Sequence, residues 1–349
     1  MITAKRADSI LDAAHGKRVL ACGDIMLDAY FSGEVERFSQ EAPVPVIPVR
    51  EERFFPGGAG NAAACMALTG IIPHLISVVG NRERMGYSDI LHHECENLSV
   101  IPRFITDSSR KTTLKLRLTA TRTTNQHIAR VDMEDTHRLN AETEKEVIDT
   151  IRFTFDRERP EAISIHDYKK GFLTQAVFET ITMLSAEHDI PVFADLKQET
   201  FVEYRHLISA PSHFFLKPNK DESVQTARLL QGFDKNGNSD DEIIEIADII
   251  RRESPINIII TRGGKGAVLF ENGRDPYFVR LREVEQQFDV AGAGDTVEAF
   301  LIAAFLGKAS LPEALEIAVV ASQIAIRKFG TSVVTREELT QWLERHEEN

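Results

Sequence analysis

Apolar positions along the chain follow two rhythms. Short unbroken runs at 18–22, 75–79, 162–165, 192–194, 214–216 and 256–261 predict strands buried on both faces. Longer stretches between them place apolar residues three and four apart. These predict helices over 59–69, 84–97, 140–155, 173–188, 221–231, 240–253, 295–306, 311–328 and 336–346. Buried strands interleaved with helices imply an α/β domain with a mostly parallel sheet.

Two segments break the rhythm. Residues 29–56 carry strand-like runs and Pro43, Pro45 and Pro48, but no helical spacing. Residues 101–132 contain Thr113-Leu114-Lys115-Leu116-Arg117-Leu118, which alternates with period 2: one face is leucine, the other carries Thr113, Lys115 and Arg117. Together they predict a small β lid over the C-terminal edge of the sheet, where open α/β sheets bind ligands. The leucine face also suggests a homodimer formed through the lid. No internal repeat or low-complexity run divides the chain, so residues 1–349 read as a single domain with the lid inside it. The polar stretch 234–241 reads as an exposed loop.

Composition narrows the functions. A chain of 349 residues, 42% of them apolar, can bury a large core. The net charge of −13 argues against nucleic acid or an anionic membrane as the main partner, and leaves room for a local basic pocket. Cys22, Cys65 and Cys95 have no metal spacing and form no even framework, which fits reduced thiols in a cytoplasm. Lys5 and Arg6 have no apolar core behind them, so no signal peptide is expected. The apolar stretches 299–306 and 314–326 are too short or too interrupted to span a bilayer.

The strongest chemical signal is Asp289-Val290-Ala291-Gly292-Ala293-Gly294-Asp295, followed by an apolar helical run. Small residues leave backbone N–H groups uncovered, and a turn feeding a helix N-terminus collects an anion. Asp295 beside that cradle can take a proton from a hydroxyl, so anion hole (Gly292, Ala293, Gly294) and base together suit phosphoryl transfer to an alcohol. Asp295 and Glu298 also have the spacing of a plain helix capping box.

Five further features each have a functional and a structural reading. Gly57-Gly58-Ala59-Gly60-Asn61 opens a helix; the glycines admit a ligand to the backbone and Asn61 offers a donor and an acceptor to a sugar hydroxyl, or the glycines simply make a turn. A dinucleotide fingerprint fits loosely, with Glu83 as its acid. It needs a buried strand before the first glycine, and the charged segment 51–56 ends in proline. Asp28 follows the first strand and can hold sugar hydroxyls, or serve a turn. Asn219 either faces nucleotide phosphates, with Glu222 near magnesium through water, or caps a helix with Glu222 at its third position. Thr261, Gly263 and Gly266 form a phosphate- or ribose-facing loop or a plain hairpin, and no P-loop sequence is present. Lys115, Arg117, Lys169 and Lys170 are candidates for a substrate phosphate, or solvated surface charges.

Taken together, these motifs resemble the PfkB, or ribokinase-like, family of carbohydrate kinases. Gly57-Gly58-Ala59-x-Asn61-x-Ala63, then Gly70 and Gly80, match its N-terminal signature; 289–295 match its C-terminal one, with Phe300 where a small residue is usual. A narrower resemblance, from about residue 15 to 335, is to the kinase of ADP-heptose biosynthesis. It rests on Gly23-Asp24-Ile25-Met26-Leu27-Asp28-x-Tyr30, Glu41-Ala42-Pro43-Val44-Pro45-Val46, Thr112-Thr113-x-Lys115-x-Arg117, Asp167-Tyr168-x-Lys170-Gly171 and Lys328-x-Gly330-Thr331-Ser332. The resemblance implies a ribokinase-like fold and phosphorylation, by ATP with Mg2+, of the anomeric hydroxyl of D-glycero-D-manno-heptose 7-phosphate, for lipopolysaccharide core or related products. A monovalent cation is left open.

In that reading Asp295 is the base and the Gly292–Gly294 backbone the anion hole. Asp28, Gly57, Gly58 and Asn61 hold the sugar, with Lys115, Arg117, Asp167 and Lys170 on the substrate side, and Asn219, Thr261, Gly263 and Gly266 face the nucleotide. With no His-x-Gly-His motif, the chain reads as a stand-alone kinase, with a separate phosphatase and nucleotidyltransferase acting downstream. The alternatives are a PfkB-type kinase for another sugar phosphate or nucleoside, or a non-catalytic sugar-phosphate-binding regulator. Three departures bear on this: Asp195-Leu196-Lys197 replaces Asp-Pro-Lys, His166 stands where serine is common, and Ala318-Val319-Val320-Ala321 lacks an asparagine often found near adenine.

Overall fold

Consecutive residues of each central strand feed opposite cores, which is why those strands read as unbroken apolar runs. Val19, Ala162, Phe193 and Phe215 pack on one face of the main sheet with helices Ala4–Ala14, Ala59–Leu68, Ala293–Leu306 and Leu311–Ala325. Leu20, Ile163, Val192 and Phe214 pack on the other with helices Ala141–Glu158, Gln175–His188 and Asp240–Glu253. The computed structural model that shows this describes residues 2–82, 85–120, 126–281, 292–328 and 334–347. Glu83, Asp289, Val290, Ala291, Gly330, Thr331 and Ser332 lie outside the described residues.

The main sheet has nine strands among the described residues. In spatial order they are Tyr277–Val279, Ala267–Phe270, Asn257–Thr261, Phe214–Leu216, Val192–Asp195, Ala162–His166, Arg18–Gly23, Ile72–Gly80 and Ile101–Asp107. From Asn257–Thr261 across to Ile101–Asp107 every pairing is parallel. The two remaining strands add antiparallel hairpins at the far edge. This is the mostly parallel α/β sheet flanked by helices that the apolar pattern predicts.

A second sheet of four strands, in the order Val49–Gly58, Ile25–Gly33, Leu114–Ala120 and Gln126–Met133, is built from the segments expected to form the lid. Its strands depart from the expected 29–56 and 101–132: they begin at Ile25 and run to Gly58 and Met133, and Arg37–Phe38 and Pro45–Val46 pair in a small sheet of their own. Ile101–Asp107 is not part of the four-stranded sheet, but pairs in parallel with Ile72–Gly80 as the edge of the main sheet. The leucine face is partly covered by the chain itself. Leu114 packs with Leu27, Ala29 and Leu91, the last from helix Tyr87–Asn97. Helices Ala4–Ala14 and Gln198–Tyr204 are additions to the sequence-based reading. The first shows Ala4, Ala7, Ile10, Leu11 and Ala14 to the core, a stripe whose alanines carry little hydrophobic signal.

Candidate active site

Helix Ala293–Leu306 begins at Gly292, whose φ of +79° is a left-handed conformation that glycine adopts without strain. Its first intrahelical bond runs from the Thr296 N–H to the Gly292 carbonyl. The N–H groups of Ala293, Gly294 and Asp295 therefore have no partner within the helix, the arrangement by which a helix start meets an anion. Asp295 lies inside the first turn and makes no side-chain cap, so the capping-box reading of Asp295 and Glu298 does not hold.

Asp295 is instead a buried carboxylate held from two sides. Asn61 donates its side-chain N–H to Oδ2 at 2.5 Å, and the Tyr168 hydroxyl donates to Oδ1 at 3.2 Å. Each oxygen keeps a second lone pair for a substrate hydroxyl. Burial raises the Asp295 pKa, and Asp195 adds to the rise; His166, the Asn61 hydrogen bond and Lys217 oppose it. A carboxylate made more basic this way suits a general base.

Asn61 reaches that point because its helix, Ala59–Leu68, starts at Gly58. Gly58 has φ +61°, and a Cβ there would meet the Asp24 carbonyl at 2.5 Å and Tyr168 at 3.4 Å. A Cβ on Gly57 would lie 2.3 Å from Asp28 Oδ2. The two glycines thus let the lid's root, Asp28 and the Asp295 pocket come together. Asp24 ties in the opposite loop: its buried carboxylate accepts from the backbone N–H groups of Tyr168, Lys170 and Phe172 at 2.8–3.0 Å.

On the lid, Asp28, Lys115 and Asp132 lie side by side across three strands, as do Tyr30, Arg117 and Arg130. Arg117 donates to Asp28 Oδ1 at 2.5 Å and stacks over Tyr30, its guanidinium carbon 5.0 Å from the ring centre. Lys170 pairs with Glu134 at 2.5 Å. Burial depresses the Lys115 pKa; Lys170 and Arg117 push it further down while Asp28 and Asp132 hold it up. The lid face thus gathers cations that repel one another, a setting that an added anion would relieve. Lys169 stands apart, half-exposed and 3.7 Å from Glu199. Asp167 serves the loop backbone, accepting from the N–H groups of Lys169 at 2.9 Å and Lys197 at 3.3 Å.

The remaining residues line an open cavity of about 550 Å³ at the ends of Phe214–Leu216 and Asn257–Thr261. Asn219, Glu222, Thr261 and Gly263 face it together with Asn238 and Lys265. Asn219 and Thr261 form a parallel bridge. The capping reading of Asn219 is present: it caps Lys220–Gln231 in a reciprocal box with Glu222. Glu222 also accepts from Lys197 Nζ at 2.5 Å. Gly263 is open to space, whereas a Cβ on Gly266 would strike the Val279 carbonyl at 2.0 Å, so Gly266 closes the hairpin. Among the described residues no group of three or more His, Cys, Asp and Glu can hold a metal by itself. Glu222 beside this cavity offers a single carboxylate, the kind of sparse protein ligation that a hydrated magnesium ion takes.

Between cavity and base lies Lys217, which sequence reasoning passed over. It is buried, donates to Asp195 Oδ2 at 2.7 Å, and its Nζ lies 3.6 Å from where a Gly294 Cβ would be. Asp195 and Glu298 hold it charged against the cost of burial. Tyr168, which the sequence shows only inside a motif, also gains its role from the fold. Both depend on contacts across long sequence separations that no local spacing reveals. The sites form a continuous line, Asp28–Gly57–Gly58–Tyr168–Asp295–Gly294–Lys217–Asn219–Thr261, along the C-terminal edge of the sheet. No helix among the described residues is long and apolar enough to cross a membrane.

The family model described as pfkB family carbohydrate kinase matches residues 17–338. "Bifunctional protein HldE" of Hyphomonas neptunium is 36% identical over 96% of this chain, and that of Gluconobacter oxydans 32% identical over 93%. The chain spans 65% and 64% of the lengths of those two relatives. Among solved structures, Escherichia coli phosphofructokinase-2 in complex with potassium superposes with a TM-score of 0.72 at 16% identity, covering 95% of this chain and 100% of that one. Arabidopsis thaliana ribokinase complexed with ribose and ATP gives 0.67 at 15% identity, covering 95% and 99%. These two structures establish the ribokinase-like fold.

Proposed function

The chain belongs to the pfkB family of carbohydrate kinases, phosphotransferases acting on a sugar alcohol, and on that premise we propose that it phosphorylates the anomeric hydroxyl of D-glycero-D-manno-heptose 7-phosphate. The observation that carries the proposal is on the second sheet, where Arg117 donates to Asp28 and Lys115 lies opposite it, with Lys170 near enough to act on Lys115. An unphosphorylated sugar needs hydroxyl acceptors such as Asp28 and gains little from the guanidinium and ammonium groups beside it. A substrate with its own phosphate uses both. The likeness to HldE proteins supports a heptose as that substrate.

In this reading Asp28 and Asn61 hold the sugar hydroxyls and the lid cations hold the 7-phosphate. Asp295 takes the proton of the attacking hydroxyl as its oxygen approaches the γ-phosphorus of ATP. The N–H groups at Gly292–Asp295, with Lys217, face the negative charge on the transferring group. Asn219, Thr261 and Gly263 receive the nucleotide. Glu222 would help hold a magnesium ion at the nucleotide phosphates, and that ion would supply charge neutralisation there. The lid covers the sugar and keeps water from accepting the phosphoryl group. Such a reaction belongs where ATP is made and used, in the cytoplasm, and its 1,7-bisphosphate product requires a phosphatase and a nucleotidyltransferase downstream. Lid-mediated pairing of two chains fits Ile128 and Val131, apolar lid residues 38% and 46% exposed.

The test is ADP release across a panel of hexoses, heptoses and their phosphates. The proposal expects heptose 7-phosphate to give the highest kcat/KM, with the unphosphorylated heptose lower by ten- to a hundredfold, about what one or two charge-assisted contacts are worth. Equal activity on the free sugar contradicts it.

A further inference from the structure

Beneath Asp295 lies a second buried network that the reaction above leaves unused. Ser164, in Ala162–His166, donates its hydroxyl to Glu298 Oε1 at 2.6 Å and lies 2.7 Å from His166 Nε2. Ser164 has one proton; giving it to Glu298 makes His166 Nε2 the donor to Ser164. All three side chains are fully enclosed. His166 Nδ1 and Glu298 Oε2 have no hydrogen-bond partner among the described residues. Orphaned polar atoms this deep call for an explanation.

The free oxygen of Glu298 points the way, since it lies 3.9 Å from Lys217 Nζ, the same ammonium that donates to Asp195 at 2.7 Å. Lys217 is therefore suspended between two carboxylates, hydrogen-bonded to one and only electrostatically attracted to the other. The charged and titratable groups that face Glu298 are Lys217, Asp195, His166 and Tyr168, with Asp295 one turn back on its own helix. Burial and Asp195 push Glu298 up to about 7, while Lys217 and the Ser164 hydrogen bond pull it down. Asp195 goes the other way because it owns the short contact to Lys217. Glu298 is thus poised to change charge whenever Lys217 moves.

We infer that Glu298 is a positioning residue for Lys217: a phosphate arriving at the Gly292–Gly294 turn draws Lys217 off Glu298, and Glu298 takes up one proton. The O–H bond forms on the free Glu298 oxygen and the proton comes from bulk water. Ser164 and His166 set the pH at which this happens, because their hydrogen-bond chain favours the ionised carboxylate. His166, the departure from the family's usual serine, and Glu298 then belong to one device. The inference rests on the assignment of Asp295 and the adjoining turn as the reaction centre.

The test is calorimetric titration of the whole protein with the imido analogue of ATP and magnesium, in buffers of different ionisation enthalpy, from pH 6 to 8.5. Wild type should take up close to one proton above pH 7, and its affinity should weaken up to about tenfold per pH unit there. Glu298→Gln keeps the shape and the acceptor for Ser164, and should lose both effects; any proton taken by the ligand itself appears in both proteins and cancels. Equal uptake in wild type and Glu298→Gln overturns the inference. His166→Ser serves as a second variant, and should move the midpoint to higher pH; an unmoved midpoint removes Ser164 and His166 from the device. Asp295→Asn, assayed alongside for turnover, separates the two ideas: full activity there sinks the reaction-centre assignment, whereas an inactive Asp295→Asn with unchanged proton uptake in Glu298→Gln sinks only this inference.

Discussion

Replacing Asp295 by asparagine removes a proton acceptor and almost nothing else. The new amide can present its oxygen to Asn61 Nδ2 and its NH2 to the Tyr168 oxygen, so both contacts that now hold the carboxylate at 2.5 and 3.2 Å keep a partner. Burial and Asp195 already disfavour the charge at this position, so the neutral variant should be at least as stable as wild type. A positioned general base contributes about 10²–10⁴-fold, a barrier change of about 3–5 kcal/mol. We therefore expect kcat to fall by that factor with no loss of melting temperature and with nucleotide binding retained. The raised pKa adds a sign. The base must be ionised to act, so wild-type kcat should rise with pH through a midpoint above the ordinary carboxylate range. Coupled ADP-release kinetics from pH 5 to 9, beside thermal melts, supply both readouts. A variant with near-wild-type kcat, or one that melts far below wild type, would refute the reasoning.

Other expectations follow from the same contacts. Arg117→Met should raise KM for the sugar phosphate about ten- to a hundredfold, with a smaller change for a free sugar; equal changes for both would remove Arg117 from phosphate binding. Asp24→Ala leaves three backbone N–H groups, one buried and two partly so, without their acceptor and should cost about 2–4 kcal/mol in urea unfolding, together with turnover, because Tyr168 loses its anchor. Glu298 binds its proton more tightly when folded, near 7 against an ordinary 4.5. Its contribution should therefore make wild-type stability fall as pH rises from about 4.5 to 7, by on the order of 3 kcal/mol. Glu298→Gln should remove that part of the fall, and denaturant curves at pH 5 and 8 whose difference is the same in both proteins would contradict it.

The parallel sheet was legible because its strands are buried on both faces and its helices on one. Ile101–Asp107 reads from sequence as part of the lid because it precedes the period-2 run at 113–118; its pairing is set by Ile72–Gly80, which local alternation does not record. The glycine clusters announced the turns at Gly58 and Gly292, and Asp295 with them, since a left-handed start to a helix needs a residue without a Cβ. Local spacing also misled: Asp295-x-x-Glu298 imitates a capping box, yet Glu298 points into the protein toward Ser164. Lys217 and Tyr168 stayed hidden because a lysine before proline and a tyrosine in a loop acquire meaning only from partners such as Asp295, which lies 127 positions from Tyr168.

The most direct test of the central claim is the structure of the product. Phosphorus NMR of D-glycero-D-manno-heptose 7-phosphate incubated with the protein and MgATP should show the 7-phosphate retained and a new phosphorus signal coupled to the anomeric proton. A new phosphate on any other carbon, or ADP formed with inorganic phosphate and no new sugar phosphate, would contradict the account.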